Sequence, residues 1–402
     1  MLLCNKNKMP AANSMHFYFN ALAASAGSGL TYVRNLAQVL ARRNDIRATF
    51  LLQPELRQEM GRYPNIAFED APGSAPAARR FLWEQKNVPN LILRARANVV
   101  VSAGNFALRK SPVPQILLSG NSLYTSRDFR RDLRARGEYA LWADNAIKSF
   151  FASRSVHWAD RTVVPSEAFA SELRQWTRSR NVVAIHHGFD PDVFFADATP
   201  LPQAMQAALD GTQGCLRLLF VSHYNYFRNF ETLLHGFKKS RELLPERDAK
   251  LFLTTRLLFE DNPGTFRPEA AAALVRDLGL SEHVIELGKV PYNHLHKLYR
   301  VCDMYVTAAY AETFAHPLVE AMACGVPIIA SDLPAHQEVA SGAAVYFPRF
   351  SEEAFAARVA EVDGAAELSQ TLSRNGLQRS ADFSWEKHLE SLLRLARSLL
   401  PA

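Results

Sequence analysis

Ala311-Glu312-Thr313-Phe314-Ala315-His316-Pro317-Leu318-Val319-Glu320-Ala321-Met322-Ala323-Cys324-Gly325-Val326-Pro327-Ile328-Ile329-Ala330-Ser331 is the stretch that decides the fold. A strand-like apolar run, Met304 to Thr307, leads into it. Pro317 opens a helix, Gly325 closes it, and Pro327 to Ala330 enters a second strand. Strand, loop, helix and strand make a βαβ unit, whose two strands run parallel. Glu312 falls in the loop and Glu320 one turn inside the helix, with seven residues between them. A loop carboxylate can accept hydrogen bonds from sugar hydroxyls, and one in the first helical turns can hold a ribose diol. The amides of Phe314 to Leu318, Pro317 excepted, approach a helix N-terminus, which favours a diphosphate. From spacing alone, an ordinary loop and helix carrying two solvated glutamates fits equally well.

The same alternation extends in both directions. Near the start, Met15 to Asn20 reads as a strand, Ser25 to Gly29 as a turn, and Leu30, Val33, Leu36, Ala37 and Leu40 as one face of a helix. Ile46, Ala48, Phe50 and Leu52 then alternate as a second strand, and apolar runs at 98–102, 115–119, 162–165 and 182–186 continue the series. A second series begins at 217–221 and runs through 251–254, 284–287, 304–307, 327–330 and 344–347. The expected architecture is α/β, with two doubly wound, Rossmann-like domains facing across a cleft and ligands held outside the carboxyl ends of the strands. The N-terminal domain is expected over residues 1–190 and the C-terminal domain over 191–380. A terminal amphipathic segment, 381–402, is free to pack back on the N-terminal domain.

Charge is distributed unevenly between these halves. Met1 to Gly188 carries 26 Lys and Arg against 13 Asp and Glu, and the remainder 20 against 27. The densest basic stretch, Arg127, Arg130, Arg131, Arg134 and Arg136, interleaves with Phe129 and Leu133. It suits a helix lying on an anionic membrane surface. It suits equally a solvated face neutralised by Asp128, Asp132 and Glu138. No zinc-finger spacing or long basic run points to nucleic acid. Four cysteines, Cys4, Cys215, Cys302 and Cys324, form no CxxC pair, which fits a reducing, cytoplasmic compartment. No window approaches the ~20 apolar residues of a membrane-spanning helix, so any membrane contact is expected to be peripheral, on the inner face. The first residues read as a tail, with Met9 or Met15 as alternative starts.

The stretch 311–331, continued by Asp332 and Leu333-Pro-Ala-His-Gln-Glu338, resembles the E-x7-E motif of retaining glycosyltransferase family 4, the group 1 glycosyl transferases of GT-B fold. The resemblance covers nearly the whole chain and is most specific from Leu218 to Phe347. It implies a nucleotide-diphosphate sugar as donor, with Glu312 on the sugar hydroxyls and Glu320 on the ribose. Phe314, Ala315, His316 and Leu318 would line the donor site. In such proteins an Arg and a Lys clamp the diphosphate. Here Arg228 takes the place of the Lys, and His223 stands where the Arg is usual. The clamp is then either weaker or dependent on a protonated histidine.

Further positions follow from the same likeness. Gly27-Ser28-Gly29 resembles the glycine loop before the first helix, which faces donor phosphates and acceptor. Asn121 falls where many relatives carry a histidine, and its amide can only hydrogen-bond. Val290 lies in the loop that packs near the base, and Ala315 replaces the second glycine of a usual Gly-Phe-Gly. His186-His187 matches the interdomain hinge and offers no third metal ligand. The implied activity is metal-independent, retaining hexosyl transfer to a glycan or lipid-linked, anionic acceptor, with no cofactor. A non-catalytic sugar-nucleotide-binding protein and a nucleotide-sugar epimerase are the rival readings. The residues leave the base, whether UDP, GDP or ADP, and the sugar open.

Overall fold

The computed structural model describes residues 15–24, 27–71, 76–262, 264 and 266–401. Cys4, the N-terminal tail and its alternative start Met9, together with Ser25 of the expected turn, lie outside them, whereas the other alternative start, Met15, is described.

The described chain builds two parallel sheets. The first contains β1 (Met15–Asn20), β2 (Ile46–Leu52), β3 (Ile66–Asp70), β4 (Val99–Ala103), β5 (Gln115–Leu118), β6 (Arg161–Val164) and β7 (Val182–Ala184), in the order β3-β2-β1-β4-β5-β6-β7. The second contains β8 (Leu216–Phe220), β9 (Ala249–Leu253), β10 (Val284–Glu286), β11 (Met304–Thr307), β12 (Ile328–Ser331) and β13 (Ala344–Phe347), in the order β10-β9-β8-β11-β12-β13. In each sheet the winding reverses beside the first strand, which creates a switch point at β1/β4 and another at β8/β11. Open α/β sheets bind ligands outside the carboxyl ends of strands at such points.

Nearly continuous apolar strands explain the parallel pairing, since helices cover both faces of each sheet. Five of the six residues of β1 are buried, and the Phe19 and Phe50 rings stack with centroids 4.4 Å apart. β3 was not anticipated. It is an edge strand, Ile-Ala-Phe-Glu-Asp, with only Ile66 fully buried, so its sequence carries no apolar run.

By internal contacts the chain divides into two compact units, and two segments depart from a simple N- and C-terminal division. The first unit takes residues up to 125, 140–188 and from 384 onward, while the second takes Ser126–Tyr139 and Phe189–Phe383. Within the first unit, the helix Trp385–Arg397 buries Trp385, Leu389, Leu392 and Leu393 in the same cluster as Phe17 and Phe50. Gly188 passes so close that a Cβ there would meet Trp385 atoms at 2.3–2.5 Å. His388 bridges Tyr32 Oη and the His186 carbonyl, each at 2.8 Å. His187 stacks on Trp385, so of the two histidines of the expected hinge one packs through its ring and the other is held through its carbonyl.

The basic helix Arg127–Ala135 does not offer its apolar face to a surface. Phe129 and Leu133 are buried, and the Phe129 ring meets Phe227 and Phe266 inside the second unit. Asp132 binds Arg136 and accepts from Tyr310 Oη at 2.6 Å, and Arg136 also pairs with Glu231 at 2.6 Å. Among the described residues no helix is long and apolar enough to cross a membrane.

Candidate functional site

The second unit's switch point gathers most of the expected residues. β8 ends at Phe220, and the loop beyond it reaches a short 3-10 turn, Tyr226–Arg228. β11 ends at Thr307, and the buried run Ala308 to Ala311 delivers Glu312. The Tyr310 amide donates to the Phe227 carbonyl at 3.0 Å, which ties the two loops together. Across that tie Arg228 Nη1 donates to Glu312 Oε2 at 2.6 Å, both side chains being mostly buried. Burial pushes the Glu312 carboxyl up, but the Arg228 guanidinium and the Thr313 amide, 3.0 Å from Oε1, together hold it below the usual carboxylate range. The pair is therefore ionised at neutral pH.

Asn262 buttresses this arrangement and was missed by sequence reasoning. Its Oδ1 accepts from the Tyr224 amide at 2.6 Å and from Thr255 Oγ1 at 2.7 Å, and its Nδ2 donates to the Arg256 carbonyl at 2.7 Å. One side chain thus joins the loops after β8 and β9. His336 was also missed. It is fully buried, with Nδ1 3.1 Å from the Ser331 carbonyl, and Ser331 Oγ in turn donates to the Ala309 carbonyl at 2.5 Å. Burial pushes its pKa down to about 4, against the opposing pull of the Glu312 carboxylate.

The helix after Glu312 begins on a strained residue. Ala315 sits at φ +61° and ψ +73°, in the left-handed region, and caps His316–Ala323 without a side-chain hydrogen bond. A glycine would adopt that conformation freely, whereas an L residue loses ~1–2 kcal/mol there. Pro317 supplies the fixed φ of the first turn. The Leu318 amide is turned inward to the Ala315 carbonyl at 3.0 Å, so it is spent on the turn and is not offered to a diphosphate as expected. His316 is half-buried, and burial pushes its pKa down to about 4.

Glu320 lies deeper. It is buried, and its Oε2 accepts from Tyr299 Oη at 3.1 Å. Burial raises its pKa to about 7, with the Tyr299 hydrogen bond opposing that rise. A buried phenol and a buried carboxyl, rather than a solvated glutamate, occupy this end of the motif.

His223 lies in the loop after β8, five residues before Arg228. Its ring reaches solvent, yet the protein crowded around it, and then the Arg228 cation, push its pKa down to about 4. Without ligand the imidazole is therefore uncharged at neutral pH, and Arg228 is the cation beside it. Val290 is partly buried against the second unit's core, following Gly288 at φ +74°.

In the first unit, Gly27, Ser28 and Gly29 form the opening turn of the helix Gly27–Ala41 itself, not a loop ahead of it. A Cβ on Gly29 would lie 3.5 Å from the Ala24 backbone, an ordinary contact, so space does not demand glycine there. Asn121 is half-buried, and its Oδ1 accepts from the Leu123 amide at 3.0 Å, capping the 3-10 turn Ser122–Tyr124. Its oxygen is thus committed to local structure. The β1/β4 switch point holds a constellation that the sequence did not reveal. Asn20, at the end of β1 opposite Ser102, donates through Nδ2 to Glu84 Oε2 at 2.9 Å, and Arg80 lies 3.3 Å from the other oxygen. Asn20 Oδ1 is buried without a partner. Burial raises the Glu84 pKa, opposed by Asn20 and Arg80.

Comparison with known proteins locates the whole arrangement. Residues 214–379 match the family described as Glycosyl transferases group 1, and residues 30–193 match Glycosyltransferase Family 4. A D-inositol 3-phosphate glycosyltransferase of Mycolicibacterium gilvum is 28% identical over 250 residues, 58% of this chain and 51% of that protein. Another, of Catenulispora acidiphila, is 32% identical over 136 residues, 33% of this chain and 32% of its own. The chain spans about half the length, or less, of the curated relatives it matches. Among solved structures, sucrose-phosphate synthase of Thermosynechococcus elongatus superposes with a TM-score of 0.75 at 17% identity, over 96% of this chain and 99% of that one. Anabaena HepE in complex with UDP-glucose gives 0.71 at 15%, over 96% and 100%. These likenesses establish a GT-B architecture.

Proposed function

We propose that this chain, which belongs to the group 1 and family 4 glycosyltransferases, moves a hexosyl group with retention from a nucleoside diphosphate sugar to a polyhydroxyl, anionic acceptor, without a metal. The ionised Arg228–Glu312 pair beside the buried Glu320 carries this reading.

Without donor, Arg228 and Glu312 satisfy each other. An arriving diphosphate is a stronger partner for the guanidinium, so it draws Arg228 away and leaves the Glu312 oxygens to accept sugar hydroxyls. As the glycosidic bond to phosphate breaks, negative charge grows on the leaving diphosphate, and a guanidinium fixed in place stabilises it. The acceptor then attacks from the face the diphosphate leaves. Glu320 takes the ribose diol. Two hydroxyl donors favour its charged form, so nucleotide binding lowers its pKa from about 7.

HepE binds UDP-glucose in the solved complex, which makes the UDP sugars the first donors to try. The relatives named for D-inositol 3-phosphate make that anionic polyol the first acceptor. We assign the acceptor to the first unit, where Asn20, Glu84 and Arg80 offer hydroxyl partners and a cation.

A thermal-shift panel with UDP, GDP, ADP and their sugar conjugates tests the donor site, using wild type and Glu320→Ala. At one hundred times its Kd a ligand adds about 2.7 kcal/mol, a shift of a few degrees. We expect one nucleotide series to shift the wild type and the variant to lose that shift. No shift with any series would sink the proposal. Binding without sugar transfer to any acceptor would favour the binding-only reading, which the uncharged His223 already favours by leaving one cation where two are usual. Donor consumed without an acceptor would favour an epimerase.

A further inference from the structure

The helix Tyr139–Trp158 is turned inside out. Its buried residues are Asn145, Ser149, Ala152, Ser155 and Val156, most of them small or polar. Its large apolar residues face solvent instead, with Ile147 61%, Phe150 56% and Phe151 38% exposed. Ile147, Phe150, Phe151 and Arg154 follow one another at i, i+3, i+4 and i+7, so they form a single stripe. The helix cannot roll to hide that stripe. Asn145 donates to the Leu123 carbonyl at 3.2 Å, and Ser149 Oγ lies 2.6 Å from the Asn145 carbonyl and 3.1 Å from that of Tyr124.

Neighbouring elements extend the stripe into a face. The Phe81 ring, on the helix Ala77–Ala95, lies 5.5 Å from Phe151 and 5.9 Å from Phe106. Gln85, one turn further on, holds the Ala107 carbonyl at 3.0 Å and the Arg109 amide at 2.8 Å. That places exposed Arg109 and Lys110 beside the rings. Arg154 stands over the Phe150 ring, 5.3 Å from its centre. The acids nearby are already occupied, with Glu84 buried and Asp144 bound to Lys148 at 2.6 Å.

We infer that this face docks the protein on an anionic lipid surface. Phenylalanine rings enter the boundary between headgroups and acyl chains, and the cations beside them meet lipid phosphates. A second copy is a poorer occupant. A two-fold contact would set Arg109, Lys110 and Arg154 near their own counterparts, like charge against like. The docking face is distinct from the basic helix Arg127–Ala135, whose apolar residues are buried.

Flotation of the full chain with phosphatidylcholine vesicles, with and without phosphatidylglycerol, tests the inference. Wild type is expected to float with the anionic vesicles and to release as salt is raised. The triple variant Ile147→Ser, Phe150→Ser, Phe151→Ser should partition at least about tenfold less, and Arg154→Glu several-fold less. The double variant Arg127→Gln, Arg131→Gln should float like wild type. Melting temperatures near the wild-type value, expected for exposed positions, confirm that the variants fold. No flotation of wild type would overturn the inference, as would full flotation of the triple variant or an equal loss in the double variant. A concentration-dependent dimer abolished by the triple variant, with no vesicle binding, would assign the face to a second copy.

Discussion

The two switch points hold carboxylates whose pKa values are shifted in opposite directions. At β8/β11, Glu312 shares a short ion pair with Arg228 and is held ionised. At β1/β4, Glu84 is buried against Asn20, and its pKa is raised despite Arg80. The same topology therefore yields a short Arg–Glu ion pair in one unit and a longer Arg–Glu contact shared with an asparagine in the other. A charged latch responds to an incoming dianion, because a phosphate can exchange with the carboxylate on the guanidinium. The Asn20 cluster, with its longer Arg80–Glu84 contact of 3.3 Å and an unpartnered Asn20 Oδ1, is better matched to hydroxyls, which it can bind without first breaking a strong pair.

The largest effect that would break this contrast is expected at Arg228. Arg228→Ala should lower kcat for sugar transfer by about two to three orders of magnitude, in line with loss of a preorganised charge-stabilising donor. Arg228→Lys should recover part of it, since the charge returns without the fork. Equal activity of Arg228→Ala and wild type would show that the latch takes no part in the reaction.

Next in size is Glu320. Burial raises its pKa to about 7, and its ionised form is the stronger acceptor for a ribose diol. Nucleotide affinity should therefore rise with pH up to about 7 and level off above it. Glu320→Gln should flatten that profile and weaken binding by about one to two orders of magnitude, the loss of a charged hydrogen-bond partner. Titration calorimetry across pH 6 to 8 reads both. A wild-type profile as flat as the variant's would remove Glu320 from the ribose.

On the other side of the contrast, Glu84→Gln keeps the hydrogen bond to Asn20 but removes charge. It should raise KM for the acceptor about tenfold while leaving nucleotide affinity unchanged. A change in nucleotide affinity alone would place Glu84 in the wrong site. The smallest effect is at Ala315. Ala315→Gly relieves ~1–2 kcal/mol of left-handed strain but gives the unfolded chain ~0.4–1 kcal/mol more entropy, so the melting temperature should rise by only a few degrees or not at all. A marked fall would mean that the alanine methyl contributes packing that outweighs its strain.

Local sequence made the loop and helix from Glu312 to Gly325 legible because they lie within one βαβ unit, whereas Arg228 reaches Glu312 from the loop after β8. Pro317, Gly325 and two glutamates in fixed register lie within 14 residues of one another, and each constrains the same loop and helix. Even Ala315 was readable, as a substituted glycine, and its positive φ gives the reason glycine is usual there. What the sequence hid depends on long-range contact. Asn20 and Glu84 are 64 positions apart, and Asn262 lies 38 positions beyond the amide it holds. The helix Arg127–Ala135 reads as a basic surface helix because nothing local announces that Phe227 and Phe266 will cover its apolar side. His223 reads as an alternative cation because its depressed pKa comes from its surroundings and Arg228, not from its own sequence neighbours.

The return of the helix Trp385–Arg397 to the first unit also fixes the order in which the molecule can be finished during synthesis. The second unit has all its residues once Phe383 has emerged from the ribosome, whereas the first still lacks Leu389, Leu392 and Leu393 from the core around Phe17 and Phe50. The half that is translated first is thus completed last. Its sheet must wait through the translation of the entire second unit with part of an apolar face uncovered, the interval in which a nascent chain is most open to chaperones and to aggregation.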